Sequence, residues 1–184
     1  TKNSIFGESL DLLNNIKGFG SSSGIPPSIY ELVNYLSNNL HQDMFNDVYD
    51  FNGSSKMELE SKILDDLDLS IREQLENSEG LDQNYIKQTT KFNGEDETNS
   101  IANAMVRTLL LLLNNLDGGI IPKEFATFIL DDIQLPSFFN LNINKFELQS
   151  DITTKVLEFL PGLRANVFMY ISSFLTLYLN QFQN

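Results

Sequence analysis

The stretch from Leu163 to about Phe182 reads as a helix that is apolar around most of its circumference, and a helix of that kind must be largely buried. Covering it takes several other elements. The rest of the chain supplies helical periodicity and no persistent apolar–polar alternation, so the expected class is all-α. With 184 residues there is room for one domain with a sizeable core, and not for two comfortable ones. We therefore read residues 1–184 as a single domain.

Start and stop signals place the helices. Ile5 to Ile16 is a short amphipathic candidate closed by Gly18 and Gly20, and residues 18–25 read as a linker. The next helix has the best start signal: Pro27 precedes Ser28, and Ser28 with Glu31 has the spacing of a capping box. Ile29, Leu32, Val33, Leu36 and Leu40 then form one apolar face. A third helix is expected over about Lys56 to Leu69, and the central core helix over Ser100 to Leu116, stopped by Asp117-Gly118-Gly119. Pro122 to Ile133, with Phe125, Phe128 and Ile129 facing in, and Thr153 to Phe159 complete the set. Two irregular stretches, at about 73–100 and 134–149, read as insertions. The pairs Asn14-Asn15, Asn38-Asn39 and Asn114-Asn115 look like compositional drift.

Charge excludes whole classes of partner. The formal net charge is −13, so the surface repels phosphate backbones and anionic headgroups, and neither nucleic-acid nor direct membrane binding is expected. The longest apolar stretch, Val167 to Leu179, is broken by Ser172, Ser173 and Thr176 and falls short of the roughly 20 residues a span needs. Without cysteine there are no disulfides and no thiolate metal sites, which suits a reducing cytoplasmic compartment. The first residue is Thr1, so the chain is expected to be a piece of a longer protein.

Catalytic and metal-binding patterns are weak. The one histidine, His41, has only Asp43 nearby in sequence, and a partly exposed residue at a helix end explains it better than a general base. Asp65-Asp66-Leu67-Asp68 spreads its carboxylates over different helical faces, and Glu95-Asp96-Glu97 lacks the other residues of a calcium loop. No phosphate-binding glycine loop, nucleophile elbow or zinc signature is present. No metal and no cofactor is expected.

Three segments carry a family resemblance. They are Gly24-Ile25-Pro26-Pro27-Ser28-Ile29-Tyr30-Glu31-Leu32-Val33-Asn34-Tyr35-Leu36 with His41-Gln42-Asp43-Met44-Phe45; Ser100-Ile101-Ala102-Asn103-Ala104 with the leucine run into Ile120-Ile121-Pro122; and Leu160-Pro161-Gly162-Leu163-Arg164 through Leu175. Met57-Glu58-Leu59 to Asp68 adds a weaker match. In order and content they resemble the RhoGAP-like domain of OCRL-type inositol polyphosphate 5-phosphatases, the Lowe-syndrome family. The resemblance implies a RhoGAP-like helical bundle. It also implies further helices after the last one here, so the domain is either truncated or differently organised at that end; truncation leaves apolar surface exposed on the last helix.

The departures from the family pattern matter as much. In active GAP domains an arginine finger follows the Phe of the first segment, and here that position holds Asn46. The basic pair of the central helix is missing in either register: Val106 with Leu110, or Leu110 with Asn114. An arginine finger is worth about 10³ to 10⁵ in rate because it stabilises charge that develops only in the transition state. An amide cannot deliver that charge.

The resemblance therefore implies a catalytically inactive interaction domain. In OCRL-type proteins the helix aligned with Tyr30, Val33, Asn34 and Ser37 helps receive short helical peptides carrying Phe and His, the F&H motif, from endocytic adaptors or regulators. Tyr30, Asn34 and Ser37 lie opposite Leu32, Leu36 and Leu40, and with Val33 they are the expected partner-binding set. A Rho- or Rac-family GTPase bound without activation is a further expected partner. The phosphatase chemistry would reside in an upstream domain, with recruitment to endosomal or phagosomal membranes through the parent protein. Two alternatives stand: an active GAP that uses Arg72 or Arg107 as a displaced finger, and a purely structural helical domain.

Overall fold

The computed structural model describes residues 7–15, 24–45, 59–66, 81, 97–124, 127, 154, 156–160 and 162–182. Four helices organise them: α1 (Leu10–Asn15), α2 (Pro27–Asn38), α3 (Glu97–Asn114) and α4 (Gly162–Phe182). Residues 59–66 and 156–159 are also helical, and the described residues contain no strand. The class is all-α. The core lies where α2, α3 and α4 meet, with Ile29, Leu32, Leu36, Ile101, Met105, Leu112, Val167 and Phe174 buried together. None of the described helices is long and apolar enough to cross a membrane.

α1 begins later than the Ile5 to Ile16 periodicity predicts. Gly7 takes φ +81, and Glu8 and Ser9 run alongside Asp117 instead of entering the helix. The Asp117 N–H donates to the Glu8 carbonyl at 3.1 Å. Ser9 Oγ then caps α1 by accepting from the Leu12 N–H at 3.2 Å, and Leu10 and Leu13 turn into the core.

α2 starts where its sequence predicts, by a different device. Pro26 is the N-cap and Pro27 occupies the first turn, so Ser28 lies inside the helix and cannot act as its cap. The capping box is absent. Ser28 is 1% exposed and its hydroxyl has no hydrogen-bond partner among the described residues, while Glu31 turns away and accepts from the Leu81 N–H at 2.7 Å.

The asparagine pairs have local work. Asn38 Nδ2 donates to the Asn34 carbonyl, Asn39 Nδ2 to the Tyr35 carbonyl and Asn115 Nδ2 to the Leu111 carbonyl, all at 2.8–2.9 Å. Each amide reaches the carbonyl four residues back near a helix end, and the Leu111 carbonyl also accepts the Asn115 N–H at 3.2 Å. The C-terminal ends of α2 and α3 contain no basic residue to do this.

α3 lies over the expected leucine run, and its main helical neighbour is α2, which also contacts α1 and α4. It begins at Glu97, three positions before Ser100. Ile101, Ala102, Met105, Val106, Leu109 and Leu112 are buried, while Leu111 faces out. Leu59 and Ile63 of the 59–66 segment also enter the core.

α4 departs from its expected burial. Only Val167 and Phe174 are buried, and Met169, Leu175, Leu177 and Leu179 are 39–46% exposed. A helix apolar on all sides shows which residues can be covered, and its neighbours decide which are; here α1 and α2 pack on one side of it. Its first turn anchors two distant segments. Arg164 Nη1 donates to the carbonyls of Gly118, Gly119 and Ile120, and Asn166 Nδ2 reaches the Gly24 carbonyl at 3.4 Å.

Asn46, Arg72, Phe125, Phe128, Ile129, the expected insertion at about 134–149 and nearly all of that at 73–100 lie outside the described residues. Within the latter stretch Leu81 packs against the core, and residues 97–100 belong to α3.

Candidate functional site

The face of α2 that the sequence singles out divides in two. Tyr30 and Asn34 are exposed and Ser37 is half-buried, so these three share an accessible surface. Val33 does not join them. It is 0% exposed, because the apolar stripe of α2 is wide enough to carry it into the core with Ile29 and Leu36. A docked partner cannot touch it.

Tyr30 is 41% exposed and has a partner that sequence reading missed. Its ring lies nearly parallel to that of Tyr170 on α4, with centroids 6.0 Å apart and an interplanar angle of 12°. At that separation parallel rings are laterally offset, the favoured arrangement for two quadrupoles. Burial pushes the Tyr170 phenol up to about 12, with Tyr30 and the carboxylate of Glu31 adding to the rise. On the same face, Asn34 Oδ1 accepts from Asn38 Nδ2 at 3.4 Å, and Asn34 is exposed.

Next to this surface, residues 41–45 form a turn held from two helices. Tyr178 of α4 donates its hydroxyl to the Gln42 carbonyl at 2.6 Å. Asn103 of α3, with its amide oriented to satisfy both groups, donates to the carbonyls of Met44 and Asp43 at 2.9 and 3.1 Å. Phe45 sits edge-on to Tyr178 at 4.7 Å and tilted against Phe174 at 6.2 Å, while Met44 is fully buried. Tyr170, Phe174, Tyr178 and Phe182 recur every four residues along α4, a spacing that could have marked this aromatic seam in advance. His41 is half-buried at the start of this turn.

Arg107 is engaged elsewhere. Its Nε lies 2.8 Å from Glu60 Oε1, and the two side chains are 9% and 13% exposed. Among the described residues no group of three or more His, Asp or Glu could hold a metal ion.

The described chemistry thus amounts to an exposed tyrosine backed by a second ring, an amide and a hydroxyl on one helix face, and a firmly seated turn beside them. No protein-family model matches the chain, and no curated protein or solved structure matches it.

Proposed function

We propose that the chain is a catalytically inactive RhoGAP-like interaction domain, of the kind found in OCRL-type inositol polyphosphate 5-phosphatases. It docks F&H-type helical peptides of endocytic adaptors or regulators on the face formed by Tyr30, Asn34 and Ser37. A Rho- or Rac-family GTPase, bound without being activated, is a second class of partner. The parent protein carries the domain to endosomal or phagosomal membranes. The observation that supports this reading most is the 41% exposure of Tyr30 on a helix whose other aromatic, Tyr35, is buried. An exposed aromatic with amide and hydroxyl groups on the same helix face supplies the anchor and polar groups that helix-in-groove recognition uses.

The pairing of Arg107 with Glu60 weighs against the displaced-finger alternative. A guanidinium held in a partly buried ion pair must leave it before it can reach a nucleotide, at a cost of breaking that pair.

Fluorescence anisotropy with a labelled F&H-type helical peptide tests the docking reading. Saturable binding that weakens in Tyr30→Ala is the expected result. No saturable binding to the folded domain would remove the reading and leave the structural alternative.

A further inference from the structure

We infer that the Tyr30 ring serves as a platform for a planar cation, an arginine guanidinium of the docked segment, and that Tyr170 positions it for this. The inference rests on the docking reading above and adds to it the chemistry of one partner side chain.

Three observations carry it. The Tyr30 and Tyr170 rings are nearly parallel at a centroid separation of 6.0 Å, so the pair is offset and Tyr30 keeps accessible ring surface. A ring face is the negative part of the aromatic quadrupole and attracts cations within about 6 Å of its centroid. The surroundings reinforce that sign: Glu31 lies close enough to act on the Tyr170 hydroxyl, and the whole chain carries −13. An acidic protein steers basic segments toward itself, and an aromatic face then favours arginine over lysine, because guanidinium is planar and more weakly hydrated. Asn34, four residues along α2, adds a hydrogen-bonding side chain on the same face.

Tyr170 acts through Tyr30. Its ring backs the Tyr30 ring and limits its rotation, so a stacking partner meets a surface already oriented. Phenylalanine at either position keeps a ring and should keep the effect. Leucine fills space without a face.

The test is a peptide panel read by anisotropy. A parent F&H-type peptide is compared with variants carrying Arg, Lys or Gln at each solvent-facing position beside the motif. At one position Arg should tighten binding over Gln by about two- to five-fold, the range for an exposed cation–π contact, and over Lys by a smaller margin. That advantage should persist in Tyr30→Phe and Tyr170→Phe and vanish in Tyr30→Leu, with unchanged circular dichroism and Tm showing that the variants fold. An equal response to Arg and Lys at every position overturns the inference while leaving the docking reading intact. An advantage that survives Tyr30→Leu overturns it too. If the parent peptide and the whole panel fail to bind, both readings fall.

Discussion

The Tyr178 hydroxyl donates to the backbone carbonyl of Gln42 at 2.6 Å, joining two points 136 residues apart in the chain. The same ring lies edge-on to Phe45, so one side chain holds the turn after α2 by a hydrogen bond and by a face. Tyr178→Phe keeps the ring contact and loses the bond. Since the bond is solvent-accessible, urea denaturation should register a loss near the low end for a hydrogen bond, about 0.5 kcal/mol. Tyr178→Ala should cost several times more.

Arg164 offers a sharper contrast. It brings one guanidinium to three consecutive carbonyls, those of Gly118, Gly119 and Ile120. Arg164→Ala should destabilise the domain by about 1.5 kcal/mol, and Arg164→Lys should rescue only part of that, because the shorter lysine side chain does not bring its ammonium to the position of Nη1. Gly118→Ala should do comparable harm by another route. Its φ is +78, and a Cβ there would come within 3.0 Å of the Arg164 guanidinium. The left-handed conformation alone costs a non-glycine residue about 1–2 kcal/mol. Thermal melts of the three variants check both expectations.

The two sides of α4 should respond oppositely to truncation. Phe174→Ala removes a buried ring from the core and should cost about 3 kcal/mol or more. Leu179→Ser changes an exposed position and should stay within about 0.5 kcal/mol of wild type. A large loss in Leu179→Ser would mean that this flank is covered in solution.

Alkaline pH probes the ring pair. Tyr170 has a folded-state pKa raised from 10.0 to about 12, so it stays neutral in the fold while the unfolded chain ionises. Below pH 10 neither state gains. As pH climbs from 10 to 12 the unfolded state binds fewer protons than the native one, so stability falls with pH. Tyr170→Phe should flatten part of that decline, with buried Tyr35, also raised, accounting for some of the remainder. Denaturation midpoints between pH 9 and 12 provide the measurement.

The long helices were legible in the sequence, and their environment was not. α2, α3 and α4 follow from periodicity and from Pro27, the leucine run and Gly162, since these are local properties of the chain. The capping box failed because Pro27 fits the first turn so well that it moved the start of α2 upstream of Ser28. The Ile5 to Ile16 pattern misled because pairing of Glu8 and Ser9 with Asp117 is a long-range contact that overrides local propensity. The expected burial of α4 failed for a related reason: coverage belongs to the neighbours, and an all-round apolar pattern does not name them. Of the candidate site, Tyr30, Asn34 and Ser37 were readable from helical phase, and Val33 was placed on the wrong side of the boundary. Tyr170, Tyr178 and Asn103 come from helices far along the chain, and only the fold brings them there.

Besides the buried Met44 side chain, the turn at residues 42–44 is gripped by its main chain: Tyr178 and Asn103 take hold of carbonyl oxygens that every amino acid possesses. A grip of that kind is blind to side-chain identity at Gln42, whose exposed side chain can be rewritten over evolutionary time. Such a turn can change what it says to a partner without changing where it stands. Substitutions at that exposed position would then not have to pass through an unstable fold.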